Sequence, residues 1–125
     1  MKARILLPVA LLAACAAPPP GSGREGPASE LVGRIAGTPQ RCVTLNQMEG
    51  LRISQNNRHT LLYGSGRTVW ANYVGPECGF GSNDILVTHP LGSSLCRGDI
   101  VRSFDRYSRI PGAGCVLQDF VPYTR

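Results

Sequence analysis

Cysteine is the residue type in this chain with the most chemistry to offer, and its spacing limits what that chemistry can be. Cys42, Cys78, Cys96 and Cys115 lie 36, 18 and 19 residues apart. A structural zinc site draws on cysteine pairs only two to four residues apart. His59 and His89 stand near neither each other nor a cysteine. No metal and no cofactor is expected. Four cysteines in a small exported domain read instead as two disulfides, and spacing alone leaves all three pairings open.

The fifth cysteine has a different setting. Met1-Lys2-Ala3-Arg4 is a short basic start, residues 5–12 are apolar but for Pro8, and Leu12-Ala13-Ala14-Cys15 follows at once. This is the layout of a secretory signal, with an apolar core too short to span a bilayer. Leu-Ala-Ala-Cys resembles the bacterial lipobox. That resemblance implies a diacylglycerol thioether on the Cys15 sulfur, cleavage before Cys15 and an acyl chain, such as palmitate, on the new amino terminus. Ala16, where an Asp would favour the inner membrane, implies the periplasmic face of the outer membrane of a Gram-negative bacterium. Several acyl chains anchor stably where one does not.

Other catalytic patterns fail on spacing. Gly64-Ser65-Gly66 lacks the spacing of a nucleophile elbow. Gly79-Phe80-Gly81 lacks the third glycine of a dinucleotide loop, and there is no H-E-x-x-H. His59 or His89 could serve as base to Ser65, Ser82 or Ser93, which keeps a small hydrolase as an alternative. Asp84, Asp99 and Asp119 sit at or near strand ends, where turn or edge roles are expected. Arg97-Gly98-Asp99 spells an adhesion tripeptide, but the glycine more simply serves a turn. Arg97, Arg102, Arg106 and Arg109, with Tyr107, form a basic stretch broken by Asp99 and Asp105. A solvated strand face is the main reading, with weak contact to anionic headgroups as the alternative. The formal charge of +5 falls to +3 without Lys2 and Arg4, so no nucleic-acid partner is expected.

These residues need a frame. Residues 1–14 form the signal peptide. Residues 15–30 carry the lipidated cysteine and a Pro/Gly/Ser linker, whose composition cannot repay its ordering entropy. Fifteen residues of flexible linker reach ~20–25 Å. Residues 31–125 form one domain with a two-residue periodicity. Strands are expected at 51–54, 59–63, 67–74, 84–89, 99–104 and 115–121. Val69, Ala71 and Tyr73 point one way, and Trp70, Asn72 and Val74 the other. Gly64-Ser65-Gly66 closes a hairpin. Gly92-Ser93-Ser94 and Pro111-Gly112-Ala113-Gly114 are expected as turns, and Pro122 as a strand end. Residues 42–48 and 76–83 could each hold one short helical turn. The sum is a mainly β domain, a small antiparallel barrel or sandwich stapled by two disulfides.

Cys42 opens the first apolar segment of this domain and Cys115 the last, while Cys78 and Cys96 flank one strand. That favours the nested pairing Cys42–Cys115 and Cys78–Cys96. The loops so closed would be worth ~3 and ~4–5 kcal/mol by chain entropy. A small domain with a small core needs such staples.

The run Leu95-Cys96-Arg97-Gly98-Asp99-Ile100-Val101, the run from Gly114-Cys115 to Val121-Pro122, Arg41-Cys42 and Cys78 together resemble a family of small proteobacterial lipoproteins classed as a domain of unknown function. The resemblance covers most of residues 41–122 and implies one small domain with two disulfides. It carries no reaction, ligand or residue role. The expected function is non-catalytic binding or envelope maintenance from a membrane anchor, through a possible envelope protein partner. Inhibition of an envelope hydrolase is one version. Binding is expected on the loop tips that carry Ser65 and Arg67, and His89 and Ser93.

The anchor has a direct test. Cys15→Ser is expected to move the protein from the membrane pellet to the soluble fraction. An unchanged pellet would refute lipidation.

Overall fold

A computed structural model describes residues 27–45, 50–90 and 92–125, with Ala113 in its backbone only. The signal segment, Cys15 and the linker as far as residue 26 lie outside the described residues, as do residues 46–49 of the first expected helical turn.

The described residues form ten short strands: β1 (Ile35–Ala36), β2 (Cys42–Thr44), β3 (Arg52–Ile53), β4 (Thr60–Tyr63), β5 (Thr68–Tyr73), β6 (Asp84–Thr88), β7 (Ser94–Cys96), β8 (Ile100–Asp105), β9 (Pro111–Val116) and β10 (Val121–Thr124). They form three sheets, ordered β1-β10-β5-β4-β3, β2-β7 and β6-β8-β9. Every pairing is antiparallel. The arrangement is sandwich-like and does not close into a barrel. Residues 42–48 and 76–83 hold no helical turn among the described residues. The one helical feature there is a 3-10 turn at Ser29–Leu31.

The hairpin β4–β5 follows from its sequence. Gly64 and Gly66 take positive φ angles of 84° and 79°, which glycine adopts without a Cβ penalty. The alternation then splits the sheet's two faces. Leu61, Tyr63, Trp70 and Val74 join a core shared with Val43, Phe80, Leu95, Val101, Cys115, Leu117 and Phe120, so all three sheets contribute. Leu62, Val69 and Ala71 form a second cluster on the opposite face, with Leu31 and Tyr123 against it. Both faces of β4 are therefore covered, and all four of its residues are buried.

The disulfides correct the nested pairing. Cys42 bonds to Cys96, and Cys78 to Cys115, so the two loops interleave. Cys42 and Cys96 are direct partners across β2–β7, with Cα atoms 4.0 Å apart. Neither three-residue strand shows enough periodicity to be read from sequence, so that register was invisible. Cys78 follows β5 and meets Cys115 on β9 at a Cα separation of 6.0 Å. Loop spacings of 54 and 37 residues correspond to about 4 kcal/mol each by chain entropy.

The end of the chain departs from expectation as well. Residues 111–114 are not a turn but the first part of β9. Their small size serves close approach: a Cβ on Gly112 would collide with the Ser103 hydroxyl. The expected strand 115–121 is two strands, because the chain leaves the β6-β8-β9 sheet after Val116 and joins the five-stranded sheet at Val121. Ser94, expected in a turn, opens β7. Pro122 lies inside β10 rather than ending it. Its carbonyl accepts from Gly37 N at 2.7 Å, so its missing N–H points to the end of β1 and not into the β5 ladder.

The crossing between sheets, residues 117–120, lies outside the named strands, yet Leu117, Gln118 and Phe120 keep their backbone groups paired. Leu117 N donates to Asp99 O (2.8 Å) and Leu117 O accepts from Gly98 N (2.9 Å). Phe120 exchanges both bonds with Gln40, at 2.8 and 2.7 Å. Gln118 has only a side chain: Asn72 Nδ2 donates to its carbonyl (2.7 Å) and Asn72 Oδ1 accepts from its N–H (2.9 Å). Asn72 is completely buried. Removing one partner of a buried pair costs more than the pair contributes net. Asn72→Ala is expected to lose about 2–4 kcal/mol, read by urea unfolding. A loss below about 1 kcal/mol, in Asn72→Ala and the volume-matched Asn72→Leu alike, would show that the pair does not hold the crossing.

Candidate functional site

The residues that close the linker in the sequence do not behave as linker. Ala28 is 2% exposed. Asn56 Nδ2 donates to Pro27 O (3.0 Å), and Ser29 N donates to Asn56 Oδ1. Glu30 accepts from Ser54 Oγ and from Gln55 N, both at 2.8 Å. Arg34 Nη1 donates to Arg67 O (3.1 Å). Residues 27–30 are thus packed and hydrogen-bonded with the strands. The physical reason is that one acid finds several donors, a gain that composition does not report.

This docked segment roofs part of the outer face of the five-stranded sheet and leaves a groove of about 320 Å³ beside it. Ala71, Val121, Tyr73 and Tyr123 form the apolar and aromatic floor, and Ala28 and Leu31 one wall. Arg97, Gln118 and Asp119 line the groove as well. Arg97 Nη1 lies 3.2 Å from Asp119 Oδ2, both side chains substantially exposed. Such a pair contributes under about 1 kcal/mol and can open toward a ligand. The turn that holds Arg97 is fixed: Arg97 N donates to Arg41 O, and Gly98, at φ 93°, donates to Leu117 O. An aromatic floor with one ion pair and amides at the rim is a recognition set. It suits an apolar side chain flanked by hydrogen-bonding or charged groups.

Two of the acids read as turn residues take such roles: Asp84 Oδ2 accepts from Gly81 N and Asp99 Oδ2 from Cys96 N, whereas Asp119 pairs with the distant Arg97. The Asp of Arg97-Gly98-Asp99 thus serves its own turn. His59 Nδ1 lies 2.8 Å from Cys78 O, a contact that requires the proton on Nδ1. His89 is exposed after β6. Among the described residues no group of three His, Cys, Asp or Glu could hold a metal ion.

Ser65 and Arg67 are exposed at the β4–β5 tip, and Ser93 is exposed before β7, its carbonyl accepting from Leu45 N. The Tyr63 hydroxyl donates to Thr44 O (3.2 Å), linking the strand before the first tip to the strand that faces Ser94. The groove is set toward the other end of β5, at Ala71 and Tyr73. Sequence alternation marked Val69, Ala71 and Tyr73 as one face. Nothing in the sequence marked what covers it. The chain matches no protein-family model, no curated protein and no solved structure, so the site is read from its own geometry.

Partial burial pushes the Glu30 carboxyl up, but hydrogen bonds from the Gln55 and Glu30 N–H groups, Ser54 and Ser29 outweigh it and hold it below the ordinary 4.5. A depressed carboxyl stabilises fully above its unfolded value and stops doing so as pH falls through the folded one. Amide-exchange protection at Gln55 is therefore expected to be constant above about pH 4.5 and to fall below it. Glu30→Gln is expected to lower that protection at neutral pH and to remove the dependence. Unchanged protection in the variant would show that Glu30 does not hold the roof.

Proposed function

We propose that the chain is a lipid-anchored protein of the bacterial envelope, held at the periplasmic face of the outer membrane through Cys15, that works by binding and not by catalysis. The observation that carries the binding reading is the groove over Ala71 and Tyr73, roofed by the first residues that would follow a tether. Leu12-Ala13-Ala14-Cys15 and the resemblance to small proteobacterial lipoproteins support the anchor. Two disulfides in so small a domain are compatible with an oxidising compartment. The partner that suits the groove is an envelope protein segment presenting an aromatic or aliphatic side chain beside polar backbone. Inhibition of an envelope hydrolase is the version in which that segment borders an active site.

A photocrosslinking residue at Tyr73 in intact cells is expected to capture one discrete protein, and the same residue at Ser65 to capture none. Capture at Ser65 alone would move the binding surface to the hairpin tip. No adduct at either position would overturn the binding role.

A further inference from the structure

The β8–β9 hairpin tip, residues 106–110, is a basic and apolar projection that neither the core nor the groove uses. Tyr107 is 79% exposed and Ile110 66%. Arg106 and Arg109 flank them and are exposed too. The acids at this end are engaged by backbone. Asp105 Oδ1 accepts from Tyr107 N (2.9 Å), Ser108 N (2.8 Å) and Ser108 Oγ (3.1 Å), and Asp84 accepts from Gly81 N. Arg109 N donates to Asp105 O, and Asp105 N to Ile110 O. The tip is thus closed on itself before any partner arrives. Arg109 sits at φ 58°, a conformation that glycine or asparagine adopts more cheaply than a long side chain. Beside the tip, Ile85, Val87 and Phe104 line a trough of about 530 Å³ that ends at Arg106 and Arg109.

We infer that this tip is a preformed contact for an anionic phospholipid surface, with Arg106 and Arg109 on phosphates and Tyr107 and Ile110 at the headgroup boundary. Guanidinium forks match phosphate geometry, and tyrosine favours the interface, where its ring is apolar and its hydroxyl wet. The choice of a bilayer over another polyanion rests on the proposed anchoring at Cys15. It also has geometric support. Pro27, where the described chain enters the domain, is bonded to Asn56. Asn56 lines a cavity that shares Ile53 and Ser82 with the cavity lined by Arg106. Two adjoining cavities therefore connect the chain entry with the base of the hairpin. The eleven residues between Cys15 and Pro27 span at most about 40 Å however they are arranged.

The test uses the full chain carrying Cys15→Ser, isotope-labelled, with bicelles of phosphatidylglycerol or of phosphatidylcholine doped with spin-labelled lipid. Broadening of the amides of residues 106–110 is expected with phosphatidylglycerol and to be much weaker with phosphatidylcholine. Arg106→Glu with Arg109→Glu is expected to weaken the contact at least about tenfold while the core resonances stay in place. Tyr107→Ser with Ile110→Ser is expected to weaken it without changing the charge. Equal broadening in both lipids, broadening confined to other residues, or a charge-reversed chain that binds undiminished would overturn the inference. Shifts of these amides with a single-stranded oligonucleotide but not with phosphatidylglycerol would overturn it too. Because the chain in this test carries no lipid, a failed hairpin contact is separate from a failed anchor, which fractionation of Cys15→Ser against wild type reads alone.

Discussion

The fold depends on one constraint: the chain must pass from one sheet to another through the core without leaving backbone groups unpaired. Residues 117–120 make that passage. Leu117 and Phe120 are completely buried, so water cannot serve their peptide groups. The turn at Gly98-Asp99, the bridge at Gln40 and the amide of Asn72 serve them instead. A side-chain amide offers both N–H donors and a carbonyl acceptor, and with one of each turned to Gln118 Asn72 stands in for a missing strand. This explains a fully buried asparagine near the end of β5. It also explains why the segment resembles a continuous strand in sequence.

With the passage closed, three small sheets share one core, and the disulfides tie them at two further points. Cys42–Cys96 fixes the register of a pair of three-residue strands that could not hold themselves. Cys78–Cys115 ties the loop after β5 to the neighbouring sheet. The outer face of the five-stranded sheet is then left with Leu62, Val69 and Ala71, and the segment docked by Glu30 covers part of them. The groove is what that partial cover leaves open. It is a by-product of how residues 27–30 are satisfied.

Legibility from sequence followed the physics of each element. The β4–β5 hairpin was readable because alternation over eight residues and two glycines agree. So was the presence of two disulfides, because an even cysteine count in a small domain has few other uses. The pairing was not, since β2 and β7 are too short for periodicity. Residues 111–114 carried turn residues for a different reason, the closeness of β8. Pro27, Ala28 and Glu30 look like linker because composition counts residues and not hydrogen bonds. Of the groove, only the outward direction of Tyr73 was readable, since Arg97 and Asp119 meet across the chain switch.

The interleaving of the disulfides has a topological consequence. Consider two proteolytic nicks, one between Cys42 and Cys78 and one between Cys96 and Cys115. In a nested arrangement the middle fragment, holding Cys78 and Cys96, would be bonded only to itself and could diffuse away. Here Cys96 keeps it on the N-terminal fragment and Cys78 keeps it on the C-terminal one. The domain can be cut in both flanking intervals and remain one covalent molecule.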